Sequence, residues 1–301
     1  MKIRINLMVL IVFLLNIFTT TLLMTLSNGS VSEYLQIYIT QIIPIFIPTL
    51  IYFLKDKTTG FDTVKREGKM TLINVIIVIM LTLLVNICIN LFNQVIFAPI
   101  SNLIFNGLAY NATKSFIPGS GFDIVFNVLF ICLLPALFEE LLFRGIVLTR
   151  YEEMYGTVKS IMMCGVVFAF LHGNITTFIP QFIVGVYLSF VVIKFNSIYY
   201  GMIAHFVHNI ITLIVHIIWN NNYSYLINIT KHWFLTLIIS ITLIYVLIAI
   251  SNITNKRKTK TIKPSSDVNQ QKVKKSEKTY FNIIVAVYII LQLITIIFQI
   301  I

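Results

Sequence analysis

The sequence predicts an all-α protein, a polytopic bundle of about eight or nine transmembrane helices with its N-terminus in the cytoplasm. Three observations lead there. Hydrophobic residues make up 58% of the 301 positions and charged residues only 11%, against about 25% charged in an ordinary soluble domain. The apolar residues form runs that approach or exceed the ~20 helical residues needed to cross a hydrocarbon core of about 30 Å, and mean hydropathy is +0.91. The basic residues gather in short loops that alternate with neutral ones, the pattern that keeps positive charge on the cytoplasmic side.

Taken in order, the spans fall near residues 5–26, 36–54, 71–97, 122–148, 158–173, 176–194, 198–219, 232–251 and 280–301. Lys2 and Arg4 hold the start inside. The apolar run that follows, to about Met24, is longer than the 7–15 residues of a signal-peptide core, so a retained first helix is expected. Lys55, Lys57, Lys65, Arg66 and Lys69 bring residues 55–69 back inside, and residues 98–121, with Lys114 alone, form an outer loop. Arg150, Lys159 and Lys194 lie inside again, and the uncharged stretch from Trp219 to Tyr225 lies outside. Nine basic residues between Lys256 and Lys278 close the pattern. The net charge of +11 is thus topogenic, and no nucleic-acid partner is expected. Cys88, Cys132 and Cys164 all sit in apolar runs without metal-type pairing and read as small hydrophobes.

Five segments follow: N-terminal helices with the outer loop at 1–121, a core at 122–219, an additional transmembrane helix at 220–251, a basic disordered linker at 252–279, and a last helix at 280–301. The linker is rich in Lys, Ser, Thr and Gln, a composition that suits a lipid-surface tether. The last helix then reads as an appendage.

Three polar clusters interrupt the core. The first is Glu139-Glu140 followed by Arg144, inside Pro135–Gly145. A charged side chain at the bilayer centre costs at least about 2.5–3.5 kcal/mol, so adjacent carboxylates there are either used or neutralised. Glu140 and Arg144 are i,i+4 and share a helix face. Glu139 points about 100° away, free to face a cavity. The bland reading is that both glutamates pair with basic groups near the cytoplasmic boundary. The second cluster is Phe168-Ala-Phe-Leu-His172, where a lone histidine at a helix end also suits a structural hydrogen bond. The third is His205-Phe-Val-His208-Asn209, in which His205 and Asn209 share a face and His208 lies about 60° away; helix–helix hydrogen bonding is its bland account. Counting 1.5 Å per residue from the nearest basic loop puts Glu139 and His205 roughly 16 Å deep and His172 roughly 20 Å deep. All three clusters therefore fall within the membrane.

Glu-Glu-x-x-x-Arg, then Phe-x-x-x-His, then His-x-x-x-Asn, in that order on separate apolar helices, resembles the CAAX protease and bacteriocin-processing (CPBP) family, which includes the Ras-converting CAAX endopeptidases. The resemblance covers about residues 122–219 and fills every motif position. It implies catalytic roles for Glu139, His172, His205 and Asn209 and a structural ion pair between Glu140 and Arg144. His208 is an extra imidazole that leaves open which histidine acts. The implied chemistry is peptide hydrolysis. Glu139 acts as general base on a water that His172 holds, and His205 and Asn209 donate to the oxyanion, where losing one donor typically costs about 10²–10³ in rate. No cofactor is expected to be required. Zinc held by Glu139, His172 and His205 is the alternative, since one Glu and two His leave a fourth position for water.

The expected function is an intramembrane endopeptidase of a bacterial plasma membrane, acting on a hydrophobic peptide precursor or a lipidated, prenylated protein within membrane lipid. The alternatives are a non-catalytic scaffold or bacteriocin immunity protein, and a transporter using Glu139, His172 and His205 as a proton relay; no inverted repeat is visible to support the latter.

Overall fold

A computed structural model describes residues 4–27, 38–55, 68–97, 99–100, 103, 121–173, 175–221, 232–254 and 268–300. Most of the outer loop 98–121, residues 222–231, and 255–267 of the expected linker lie outside the described residues.

Among the described residues the chain forms a bundle of α-helices, eight of them long and apolar enough to cross a membrane. They are α1 (Ile5–Ser27), α2 (Tyr38–Lys55), α3 (Leu72–Phe97), α4 (Asp123–Tyr155), α5 (Thr157–Leu171), α6 (Phe178–Phe195), α7 (Ile198–Asn221), α8 (Trp233–Thr254) and α9 (Val268–Ile300). The shorter one, α5, has 15 residues and is therefore about 22 Å long. It stops short of a core about 30 Å thick. The protein is an integral, multi-pass membrane protein with an all-α fold.

The helix ends that carry the expected cytoplasmic charges meet at one end of the bundle. Arg4 Nη1 donates to Tyr280 Oη at 3.1 Å, Arg150 Nε donates to Tyr52 Oη at 2.7 Å, and Gly68 N donates to Asn196 O at 2.8 Å. Lys194 bonds Asn252 at the same end. At α5 the register is set by one residue: Gly156 (φ 78°) turns the chain between α4 and α5 in a conformation that suits glycine.

The last helix differs from expectation. It begins at Val268, so the described part of the segment expected to be a disordered linker is helical. The reason is a partner. Glu277 lies against the open N-terminus of α1, where its carboxylate accepts from Ile5 N at 2.9 Å and Asn6 N at 2.7 Å. Asn6 returns a hydrogen bond to Glu277 O at 2.9 Å and receives one from Tyr151 Oη. A carboxylate on the orphan amides of a helix start satisfies them and opposes the positive end of its dipole. The first and last helices are thereby joined to the end of α4.

At the centre, α5 and α6 pack backbone to backbone. A Cβ on Gly185 would stand 2.9 Å from Gly165 Cα, and one on Gly165 would stand 3.1 Å from Val186 N. Small residues at such crossings permit the close approach that membrane helices use in place of hydrophobic drive. Here the approach also brings the Gly185 carbonyl within reach of a side chain from α4.

Candidate active site

The glutamates lie between two widened turns of α4. Val128–Leu133 and Leu141–Val147 wind with i→i−5 hydrogen bonds, as in Leu134 N to Leu129 O and Leu148 N to Phe143 O. Wide turns of this kind are often found at functional sites. Pro135 separates the first of them from the glutamates. Proline has no N–H to give to the carbonyl four residues back, which is that of Ile131. Asn209 of α7 takes that place: its Nδ2 lies 3.3 Å from Ile131 O and 3.5 Å from Cys132 O.

Glu140 is fully buried, and one of its oxygens joins two partners. Arg144 Nη1 donates to Glu140 Oε1 at 2.7 Å, and His205 Nδ1 donates to the same oxygen at 2.9 Å. Arg144 Nη2 donates to Gly185 O at 3.1 Å, and the guanidinium carbon lies 4.7 Å from the Phe168 ring centroid. This buried cation is therefore held by a carboxylate, a carbonyl and an aromatic ring from three helices. Gly201 supplies the room, since a Cβ there would meet Glu140 Oε2 at 2.8 Å and Val192 Cγ2 at 2.5 Å. Gly201→Ala is accordingly expected to lower stability by about 1–3 kcal/mol, the usual range for overpacking. Thermal melting in detergent checks it, and an unchanged melting temperature would show that the carboxylate has freedom this geometry denies it.

Glu139 faces elsewhere. Gln41 Nε2 of α2 donates to Glu139 Oε1 at 3.0 Å, while Glu139 Oε2 lies 4.0 Å from His205 Nε2. His205 therefore sits between the two carboxylates, one on each ring nitrogen. Four buried polar atoms of this cluster have no hydrogen-bond partner among the described residues: Gln41 Oε1, Glu139 Oε2, Glu140 Oε2 and Arg144 Nε. Buried polar groups are nearly always satisfied, so such a concentration marks a site with capacity to spare.

His208, on the same turn as His205, turns away. Its Nδ1 donates to Asn86 Oδ1 at 2.8 Å, and Asn86 Nδ2 in turn donates to Thr82 O at 2.9 Å. Of the two imidazoles on this turn of α7, His205 is the one against the carboxylates. His172 caps α5. Its Nδ1 lies 2.9 Å from Phe168 O, and because a carbonyl only accepts, Nδ1 carries the proton and Nε2 is the free ring nitrogen. Phe168 links it to the rest, with ring centroids 4.6 Å from His172 and 5.9 Å from His205. Asn16 of α1 donates to Leu171 O at 3.0 Å, so the exposed His172 stands level with the middle of α1.

Glu139, Glu140, Arg144 and His205 are thus in one cluster, with His172 one ring away and Asn209 on the far side of the Pro135 turn. Among the described residues no three His, Cys, Asp or Glu side chains converge as a metal-ligand set. Glu139 Oε2 and His205 Nε2 stand 4.0 Å apart, and the Phe168 ring lies against both His172 and His205. Sequence reasoning missed Gln41 and Asn86, and it named Phe168 without giving it a role. The signal for the first two was available, since each is an amide on an apolar span, where polar side chains seek partners on other helices.

A family model described as type II CAAX prenyl endopeptidase, Rce1-like, matches residues 121–211. No curated protein and no solved structure matches significantly. The matched stretch holds Glu139, Glu140, Arg144, His172, His205 and Asn209, so over residues 121–211 the chain is similar to the type II CAAX prenyl endopeptidases.

Proposed function

We propose that the chain is an intramembrane endopeptidase in which Glu139 activates the water that attacks a peptide carbonyl. The observation that carries this reading is the facing pair Glu139 Oε2 and His205 Nε2. At 4.0 Å they suit a single water hydrogen-bonded to both at ordinary length. Gln41 occupies the other Glu139 oxygen and so leaves Oε2 as the base.

Each part then has a role. Glu139 Oε2 takes a proton from the water while the water oxygen bonds to the carbonyl carbon. The carbonyl electrons move to oxygen, and when the C–N bond breaks the amine leaves with the proton Glu139 had taken. His205, fixed through Nδ1 by Glu140, holds the water. His172, anchored through Nδ1 by Phe168 O, lies beside the reacting carbonyl with Nε2 as its free ring nitrogen. The water-holding part falls to His205 and not, as expected from the resemblance, to His172, because it is His205 that flanks the carboxylate. Asn209 holds the Pro135 turn that carries the glutamates through its contacts with Ile131 O and Cys132 O. Arg144 and Glu140 hold the frame. No metal takes part in these steps.

The substrate class that fits is a hydrophobic peptide precursor or lipidated protein, reached within the membrane, and the proposed location is a bacterial plasma membrane. Membranes bearing wild-type protein or Glu139→Gln at equal abundance, with the peptide termini each releases catalogued by mass spectrometry, test the reading. Termini specific to wild type are expected, and they name the substrate. Identical catalogues would favour the scaffold or transporter. Cleavage of the substrate so found is expected to survive dialysis against a chelator; loss restored by Zn²⁺ alone would overturn the metal-free mechanism.

A further inference from the structure

The family match ends at residue 211, yet α9 reaches the turn that carries His172. Gln292 is buried, and both ends of its amide are used there: Nε2 donates to Gly173 O at 2.6 Å, and Oε1 accepts from Ile175 N at 2.9 Å. The two contacts bracket the chain just after His172. One turn back on α9, Tyr288 packs against both flanks of the same turn, with its ring centroid 4.5 Å from Phe170 and 5.8 Å from Phe178. Gly173 has φ +68° with nothing within 4 Å of a notional Cβ, so no side chain of its own steadies it.

We propose that Gln292 is the positioning residue for His172, and that α9 is a working part of the site and not an appendage to it. The argument is one of unmet need. α5 ends inside the membrane thickness, where a turn exposes backbone donors and acceptors that have no strand or helix partner, and unpaired backbone is costly in that setting. Gln292 supplies one acceptor and one donor to two of these groups. His172 is fixed on one side by its own Nδ1 bond to Phe168 O and on the other by this clamp. The first contact sets the ring, and the second holds the backbone that follows its Cα. A misplacement of about 1 Å at a reacting group can cost about 10²-fold in rate, so a remote amide that fixes this turn has leverage on turnover without touching substrate.

The proposal rests on the protease reading, and the test separates the two. The full-length protein in lipid nanodiscs carries Gln292→Met, which keeps length and apolar bulk, or Gln292→Glu, which keeps the acceptor for Ile175 N and loses the donor to Gly173 O. Hydrogen exchange read by mass spectrometry over the turn is expected to quicken about tenfold or more in the first variant and by less in the second, with exchange around Glu139 unchanged. Turnover of the peptide that distinguishes wild type from Glu139→Gln is expected to fall about tenfold in kcat with KM held, in the same order of severity. Unchanged exchange at the turn, or a rise throughout the protein, overturns the clamp. Faster exchange at the turn with kcat unchanged overturns its link to His172. If Glu139→Gln itself leaves the released termini unaltered, the protease reading fails, and the clamp is decided by exchange alone.

Discussion

Glu139→Gln is expected to leave a folded protein whose cleavage has fallen by at least about 100-fold, the lower range for loss of a positioned general base. The substitution keeps the side chain's size and an oxygen able to accept from Gln41 Nε2, the contact seen at 3.0 Å. Arg144 is engaged by Glu140 and Gly185 O, not by Glu139, so the substitution strands no guanidinium. Stability should therefore hold. What is lost is the acceptor on the oxygen facing His205 Nε2. Melting in detergent together with turnover of the identified peptide checks both halves. Glu139→Asp is a useful companion, since it keeps the charge and draws it back by one methylene from Gln41 and His205. It should lose most of the rate as well, because the base must be placed as well as ionised. Turnover within a few-fold of wild type in the glutamine variant would remove Glu139 from the mechanism.

How far the sequence alone discloses this site depends on whether a contact is local. The all-α, many-span fold follows from composition and from the rhythm of basic loops, and the structure shows it. The Glu140 to Arg144 pairing is an i,i+4 relation within one helix and can be read from spacing, as can the different direction of Glu139. The choice between His205 and His208 cannot be read so. The two lie on the same turn, and the side of the helix that meets α4 is decided by tertiary packing, in which α3 presents Asn86 to His208. Asn209 is an intermediate case. Its partner across the bundle is the carbonyl that Pro135 leaves free, so one half of that contact is written in the motif and the other appears only when α7 is placed. Gln41 and Gln292 are 98 and 119 residues distant from their partners Glu139 and Gly173, and no periodicity links them. The helical start of α9 was hidden for a related reason. Lys, Gln and Glu suit a solvated tether and a helix alike, and what fixes the helix is Glu277 meeting the N-terminus of α1.

Glu140→Gln should do the opposite of Glu139→Gln. Removing one partner of a buried ion pair typically costs about 3–5 kcal/mol, because the remaining charge stays buried without compensation. In this protein Arg144 would keep Gly185 O and the Phe168 ring, which temper the loss but do not neutralise a cation. His205 would lose the anion that receives its Nδ1 proton, and α7 this hydrogen bond to α4. The expected result is low membrane abundance and a marked fall in melting temperature, with cleavage lost as a consequence. A double variant, Glu140→Leu with Arg144→Met, distinguishes a stranded charge from general damage. Replacing both ions by apolar groups of similar volume is often neutral or stabilising, so this variant should recover abundance and melting while cleavage stays low, because His205 is no longer oriented. If Glu140→Gln accumulates and melts like wild type, Arg144 is compensated by some other group and the frame assigned to this pair is wrong. If the double variant instead cleaves normally, His205 needs no anion behind it, and the separation of labour between the two adjacent glutamates fails.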